Sequence, residues 1–207
     1  MATKTVPSFA MDEVPELGDA LPLVATDPRW LPIALADLDA VHADHLHCER
    51  KAAQSALSLI RSYPEHTDLV TAMARLAHDE TRHVVQVSQL MSRRGQPAAY
   101  DFGDDYAAKL RELIRKGEPQ RLLDRLLVFA TIEGRSAERL GLLAGALEDP
   151  KSRELYASLA TAEVRHRDIF LSLARAASPE TWRARAGELA AVEADILANR
   201  AISARIH

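Results

Sequence analysis

LAHDETRH, residues 76–83, sets a glutamate and a histidine three positions apart in a stretch of helical periodicity; LATAEVRH, residues 159–166, does so again. The shared pattern is Leu-Ala-x-x-Glu-x-Arg-His. With 15 glutamates and 8 histidines in 207 residues, roughly half of one Glu-x-x-His pair is expected by chance, so one copy is uninformative. Two copies in one eight-residue context carry information. Positions i and i+3 share a helix face, so Glu80 and His83 can address one point, as can Glu163 and His166.

Outward from these stretches the chain reads as helices. Ala, Leu, Arg and Glu, all strong helix formers, dominate, and glycine is scarce at 8 residues. Residues 1–27, with Pro7, Pro15 and Pro22, read as an irregular arm. A long helix is expected from Pro28 to Tyr63 with Asp27 as its cap. A second runs from Thr67 to about Arg94, closed by Gly95. A shorter helix reaches about Lys116, a fourth spans Pro119 to Leu147, and a fifth Lys151 to Ala177. Ser178-Pro179 opens a last helix towards the C-terminus. Four are long and joined in pairs by tight turns, which predicts an all-α four-helix bundle with additional helices, formed by residues 1–207 as a single domain.

The turns fix a register. Glu80 lies about 15 residues beyond Pro64-Glu65, and Glu49 lies about 15 before it. Glu163 and Glu133 bear the same relation to Glu148-Asp149-Pro150. At 1.5 Å per residue both pairs sit roughly 22 Å from their turns. Each hairpin thus offers one glutamate and one Glu-x-x-His at matched depth: Glu49 with Glu80 and His83, and Glu133 with Glu163 and His166. Four carboxylates buried without compensation are prohibitively costly. Two divalent cations neutralise them, and a set of four carboxylates with two imidazoles suits iron or manganese better than zinc.

The set Glu49, Glu80-x-x-His83, Glu133, Glu163-x-x-His166 resembles that of the ferritin-like di-iron carboxylate proteins. The resemblance implies that Glu80 and Glu163 bridge two iron ions while Glu49 and Glu133 are terminal ligands. A closer resemblance covers most of the chain. HLHCERKAAQSALSLIRSY, DLVTAMARLAHDETRHVVQVSQLMSRRG, ATIEGRSAERLGLLAGAL and ELYASLATAEVRHRDIF are similar to the tRNA hydroxylase family acting on 2-methylthio-N6-isopentenyladenosine. It implies an oxygenase that hydroxylates the isopentenyl group in tRNA, with dioxygen as co-substrate. Oxidising such a C–H bond is beyond side-chain acid–base chemistry, so a redox metal must carry it. An outside donor must return two electrons per turnover, because the chain has no nucleotide fingerprint and its one cysteine, Cys48, cannot build a cluster. A separate reductase or ferredoxin is expected.

Two other readings belong beside this one: a di-iron oxygenase of a small or lipid-like substrate, and iron storage or peroxide detoxification. Storage predicts a large hollow assembly, whereas the arm and extra helices suit a monomer or small homo-oligomer. The single cysteine fits a reducing compartment, and no signal peptide or membrane span is seen, so a cytoplasmic protein is expected. The net charge of −4 hides a basic excess after residue 49. Arg93, Arg94, Lys109, Arg111, Arg115, Lys116, Arg121 and Arg125 are candidates for tRNA phosphates, Arg111 and Arg115 foremost, with Arg167, Arg183 and Arg185 as the alternative face.

Lesser candidates have plainer readings. His42 and His45 share the face of Glu49 and are either ordinary buried histidines or supports for that carboxylate. His78 points away from Glu80 and is expected to be exposed. Asp79 is either an acceptor for a metal-bound imidazole or a surface carboxylate. Arg82 and Arg165 are either ion-pair partners or surface charge. Cys48, Trp30 and Trp182 are expected to pack.

Overall fold

The computed structural model describes residues 17–207, and every regular element among them is helical. After a 3-10 turn at Gly18–Ala20 come α1 (Trp30–Ala36), α2 (Leu38–Ser62), α3 (Thr67–Arg93), α4 (Asp105–Glu112), α5 (Gln120–Ala146), α6 (Pro150–Ala177) and α7 (Trp182–Ala198). The hairpins α2–α3 and α5–α6 pack along their lengths, α3 faces α6, and α7 lies against α5. This is the expected four-helix bundle with added helices. No helix among the described residues is long and apolar enough to cross a membrane.

Local chemistry sets the ends. Asp149 accepts from the Ser152 amide at 2.9 Å, with Pro150 in the first turn of α6. Gly95 takes a positive φ of 68° just after α3, and the Gln96 amide returns to the Met91 carbonyl, which closes that helix. Three expectations are corrected. The helix expected from residue 28 to 63 is broken at Asp37, whose φ of −139° leaves the helical region and whose carboxylate caps α2 through the Ala40 amide. The helix expected to reach Lys116 stops at Glu112, because the Arg115 amide turns to Asp124 instead. The last helix ends at Ala198, and residues 199–207 fold back as an irregular tail. Of the expected arm, residues 1–16 lie outside the described residues; 17–27 are irregular apart from the 3-10 turn.

The apolar core is in two parts. One cluster gathers Ala56, Leu59, Met73, Leu76, Leu126, Leu127, Phe170 and Ala174 with Trp182 and Leu189 of α7. The other gathers Trp30, Val41, Val87, Leu90, Leu140, Leu143, Tyr156 and Leu159. Along each of the four bundle helices the candidate ligands fall between the residues of the two clusters. Trp30 and Trp182 both pack, at 1% and 2% exposure.

Helix α5 is the axis, with 19 of its 27 residues buried. Arg135 makes a bidentate pair with Glu193 of α7, at 2.9 and 3.0 Å, and Tyr106 donates to the same carboxylate. The segment 17–26 crosses α5, held by Thr26 on Glu138 at 2.7 Å and by the Val24 carbonyl on Arg135. The tail is fixed by the Ile206 amide on Asp44 and the Trp30 indole on the Arg205 carbonyl.

Gly134 lets the segment come close: a Cβ there would meet Leu23 Cδ1 at 2.9 Å, whereas one at Gly141 would meet nothing within 4 Å. Gly141→Ala should therefore gain the helix-propensity difference of about 0.5–1 kcal/mol. That is a rise in Tm of about 1–4 °C at this chain length. Gly134→Ala should give no such rise. Thermal denaturation of both variants at equal metal content checks this; an equal rise for both would mean that segment 17–26 does not hold closely to α5.

Candidate metal centre

Helical periodicity and the two turns deliver all six expected residues to one layer. Glu80, His83, Glu163 and His166 each offer a ligand atom within 4.8 Å of the others. His83 Nδ1 lies 3.3 Å from Glu49, 3.5 Å from Glu80 and 3.5 Å from Glu163. His166 Nδ1 lies 2.8 Å from Glu80 and 3.7 Å from Glu163. Glu133 adjoins Glu163, whose charge acts on it directly. None of the six is more than 5% exposed.

The layer is short of partners. Both oxygens of Glu80, Oε1 of Glu163 and both ring nitrogens of His166 are buried and, even where Glu80 and His166 approach to 2.8 Å, make no aligned hydrogen bond. Buried polar atoms are nearly always satisfied, so these converging lone pairs are made for something else. The other buried carboxylates show the contrast. Asp124 is matched by Arg115 and Arg185, and Glu193 by Arg135. Among the described residues no arginine or lysine forms an ion pair with the six. Oxygen and imidazole donors converging without a cationic side chain fit one or more divalent cations.

The titration behaviour agrees. Burial, then the charges of Glu163 and Glu49, push Glu80 well above the carboxylate range. Burial and Glu163 do the same to Glu133. Burial and Glu49 raise Glu163 to about 8. Glu49 goes the other way: burial opposes its charge, but the hydrogen bond and charge of His45, with a hydrogen bond from His83, outweigh that and hold it low. Without a cation, the layer keeps protons at neutral pH.

His45 and His42 divide the two roles weighed for them. His45 Nε2 sits 2.5 Å from Glu49 Oε1, while His42 bonds to Gln96 at 3.2 Å. Both rings stack on Tyr156, whose hydroxyl is buried and unpartnered. The sequence reading passes over Tyr156, although it precedes Glu163 by the seven residues that separate His42 from Glu49. Asp79 lies 3.8 Å from the far nitrogen of His166 and pairs with Arg82 at 3.2 Å. Arg165 and His78 are exposed. Cys48 is half-buried, 3.3 Å from His207, and burial pushes its thiol well up.

Two of the basic candidates are structural. Arg115 is committed to Asp124 at 2.7 Å, so it is not a free phosphate ligand, and Arg125 is buried against Ser58 and Tyr63. In the alternative face, Arg185 is also held by Asp124.

A carboxyl whose folded pKa lies above its unfolded one stabilises the fold below the unfolded value, and that contribution is lost as pH rises through the folded one. Metal-free protein should therefore lose stability as pH rises from about 4.5 to about 8. A divalent cation, by displacing the protons, should restore it. Manganese(II) added to metal-free protein in weak buffer near pH 7 should release more than one proton per chain, read with an indicator dye. No release would mean that the carboxylates are already ionised.

Comparison with known proteins meets this geometry. Residues 17–207 match the family described as tRNA-(MS[2]IO[6]A)-hydroxylase (MiaE). A tRNA 2-(methylsulfanyl)-N(6)-isopentenyladenosine(37) hydroxylase of Pseudomonas putida is 40% identical over 198 residues, covering 95% of this chain and 96% of that protein. One of Salmonella typhimurium is 30% identical, covering 88% and 82%. Among solved structures, a Synechococcus protein described as having aldehyde deformylating oxygenase activity superposes with a TM-score of 0.84 at 38% identity, over 89% of this chain and 94% of its own. The paired Glu-x-x-His helices, their partner glutamates and a match along nearly the whole length agree: the chain belongs to this tRNA hydroxylase family.

Proposed function

We propose that this chain is a di-iron monooxygenase that hydroxylates the isopentenyl group of 2-methylthio-N6-isopentenyladenosine in tRNA, working as one ferritin-like domain in the cytoplasm. The observation that carries the reading is the buried layer of unpartnered carboxylates and imidazoles in a chain of this family. Glu49, Glu80, Glu133 and Glu163, with His83 and His166, would hold the two iron ions, Glu80 and Glu163 being the residues both ions would share. When bound, the iron pair supplies the redox chemistry that activates dioxygen, which side chains alone cannot supply.

The protein's own part is positioning and exclusion. His45 holds Glu49 in its ionised form and in one orientation. Asp79 stands 3.8 Å from the outer nitrogen of His166 and places a negative charge on that side of the ring. The two apolar clusters above and below keep bulk water from the layer. The slim, apolar isopentenyl tail suits such a place, while the nucleoside and its phosphates stay outside. Electrons come from a separate reductase.

The Synechococcus neighbour supports a second reading, an oxygenase of a small aldehyde or lipid-like substrate. Nucleoside analysis separates the two. Deleting the gene should remove the hydroxylated nucleoside from tRNA and leave its isopentenyl precursor; the wild-type gene should restore it and Glu80→Gln should not. Persistence of the hydroxylated nucleoside after deletion would exclude the tRNA reading. Purified protein should carry two iron ions per chain, Glu80→Gln and Glu163→Gln should lose most of them, and His78→Ala should lose none. At most one ion in the wild type would sink the di-iron assignment.

A further inference from the structure

Where α4 ends and α5 begins, a cleft of about 580 Å³ is lined by Arg111, Ile114, Arg115, Lys116, Arg121 and Arg125. Five cations and no carboxylate face one space. Its back wall is built. Asp124 is fully buried, takes the Arg115 amide and guanidinium at 2.9 and 2.7 Å, and also takes Arg185. Arg125 is pinned to Ser58 at 3.0 Å and lies over the Tyr63 ring. On this wall stand Arg111, Lys116 and Arg121, all exposed and without an ion pair among the described residues. The acids nearby are largely occupied: Glu118 takes the Tyr63 hydroxyl, and Glu188 takes Arg185. Glu112, beside Arg111 on α4, is exposed and makes no ion pair among the described residues.

We propose that this cleft is the phosphate-binding surface for tRNA, with Arg111, Lys116 and Arg121 as its contacts; the inference rests on the function proposed above. Guanidinium and ammonium groups held apart from carboxylates are what phosphate oxygens require. Position points to a polynucleotide. Arg121 and Arg125 precede Glu133 on α5 by about 12 and 8 residues, roughly 18 and 12 Å along the helix. A tail that reaches the metal layer leaves its own base close by, so the cleft meets phosphates of neighbouring nucleotides. Arg115 and Arg125 shape the surface, and the three exposed cations bind.

The test is the triple variant R111E/K116E/R121E, compared with wild-type protein and with R75E/K151E/R153E, three exposed cations away from the cleft, as a control of equal net charge. Binding of tRNA carrying the isopentenyl modification is measured across a salt series, with iron content and hydroxylation of the same tRNA. The triple variant should bind at least about tenfold more weakly, and its log–log salt slope should shrink by about two, at about 0.7–0.9 for each phosphate no longer neutralised. Iron content should match wild type. Two results overturn the assignment: the triple variant binding as wild type does, or the control weakening as much. A wild-type protein that neither binds nor hydroxylates tRNA overturns both readings, the fault then lying with the proposed function.

Discussion

Four carboxylates share one buried layer between two apolar clusters, and the rest of the molecule is arranged around their charge. The cost of placing such charge away from water exceeds what two imidazoles return. The bundle answers its other buried acids with arginine: Asp124 has two, and Glu193 has one. It places none in the layer. That difference in partner separates a structural ion pair from a group of donors that could hold a cation. Protons held by Glu80, Glu133 and Glu163 answer part of that charge in the absence of a cation.

The surrounding structure buries the layer on every side. Every bundle helix passes from one apolar cluster through the layer into the other, so ligand spacing along the chain and packing on either side are one constraint. Helix α5 is enclosed by α6, α7, the segment 17–26 and the folded-back tail. The position of Glu133 is set from all sides, and Gly134 beside it is kept small so that the segment can close over the helix.

Much of this is legible in the sequence because it is local. A 3.6-residue period, two turn signals and equal spacing from each turn suffice to bring Glu49, Glu80, His83, Glu133, Glu163 and His166 to one height. What the sequence hides depends on partners far apart in the chain. Nothing near Arg115 says that its charge is matched by Asp124, or that Arg185 shares that carboxylate. Arg135 and Glu193 are 58 residues apart and on different helices. The break at Asp37 shows a local competition that periodicity misjudges. A capping aspartate inside an apolar pattern ends one helix and starts another, and the pattern alone reads both as one. The end of the last helix is not given by periodicity for a related reason: what accompanies it, the burial of Ile206 and His207 against α5, is tertiary.

The two hairpins repeat one glutamate and one Glu-x-x-His, but His45 breaks their equivalence. On the first hairpin the lone glutamate, Glu49, has a histidine one turn before it on the same helix; on the second, Glu133 has at the matching position Phe129, packed against Phe170. The approximate two-fold symmetry of the ligands is therefore not a symmetry of charge. A cation bound as proposed would meet an anion at Glu49, whereas at Glu133 it would have to displace a proton.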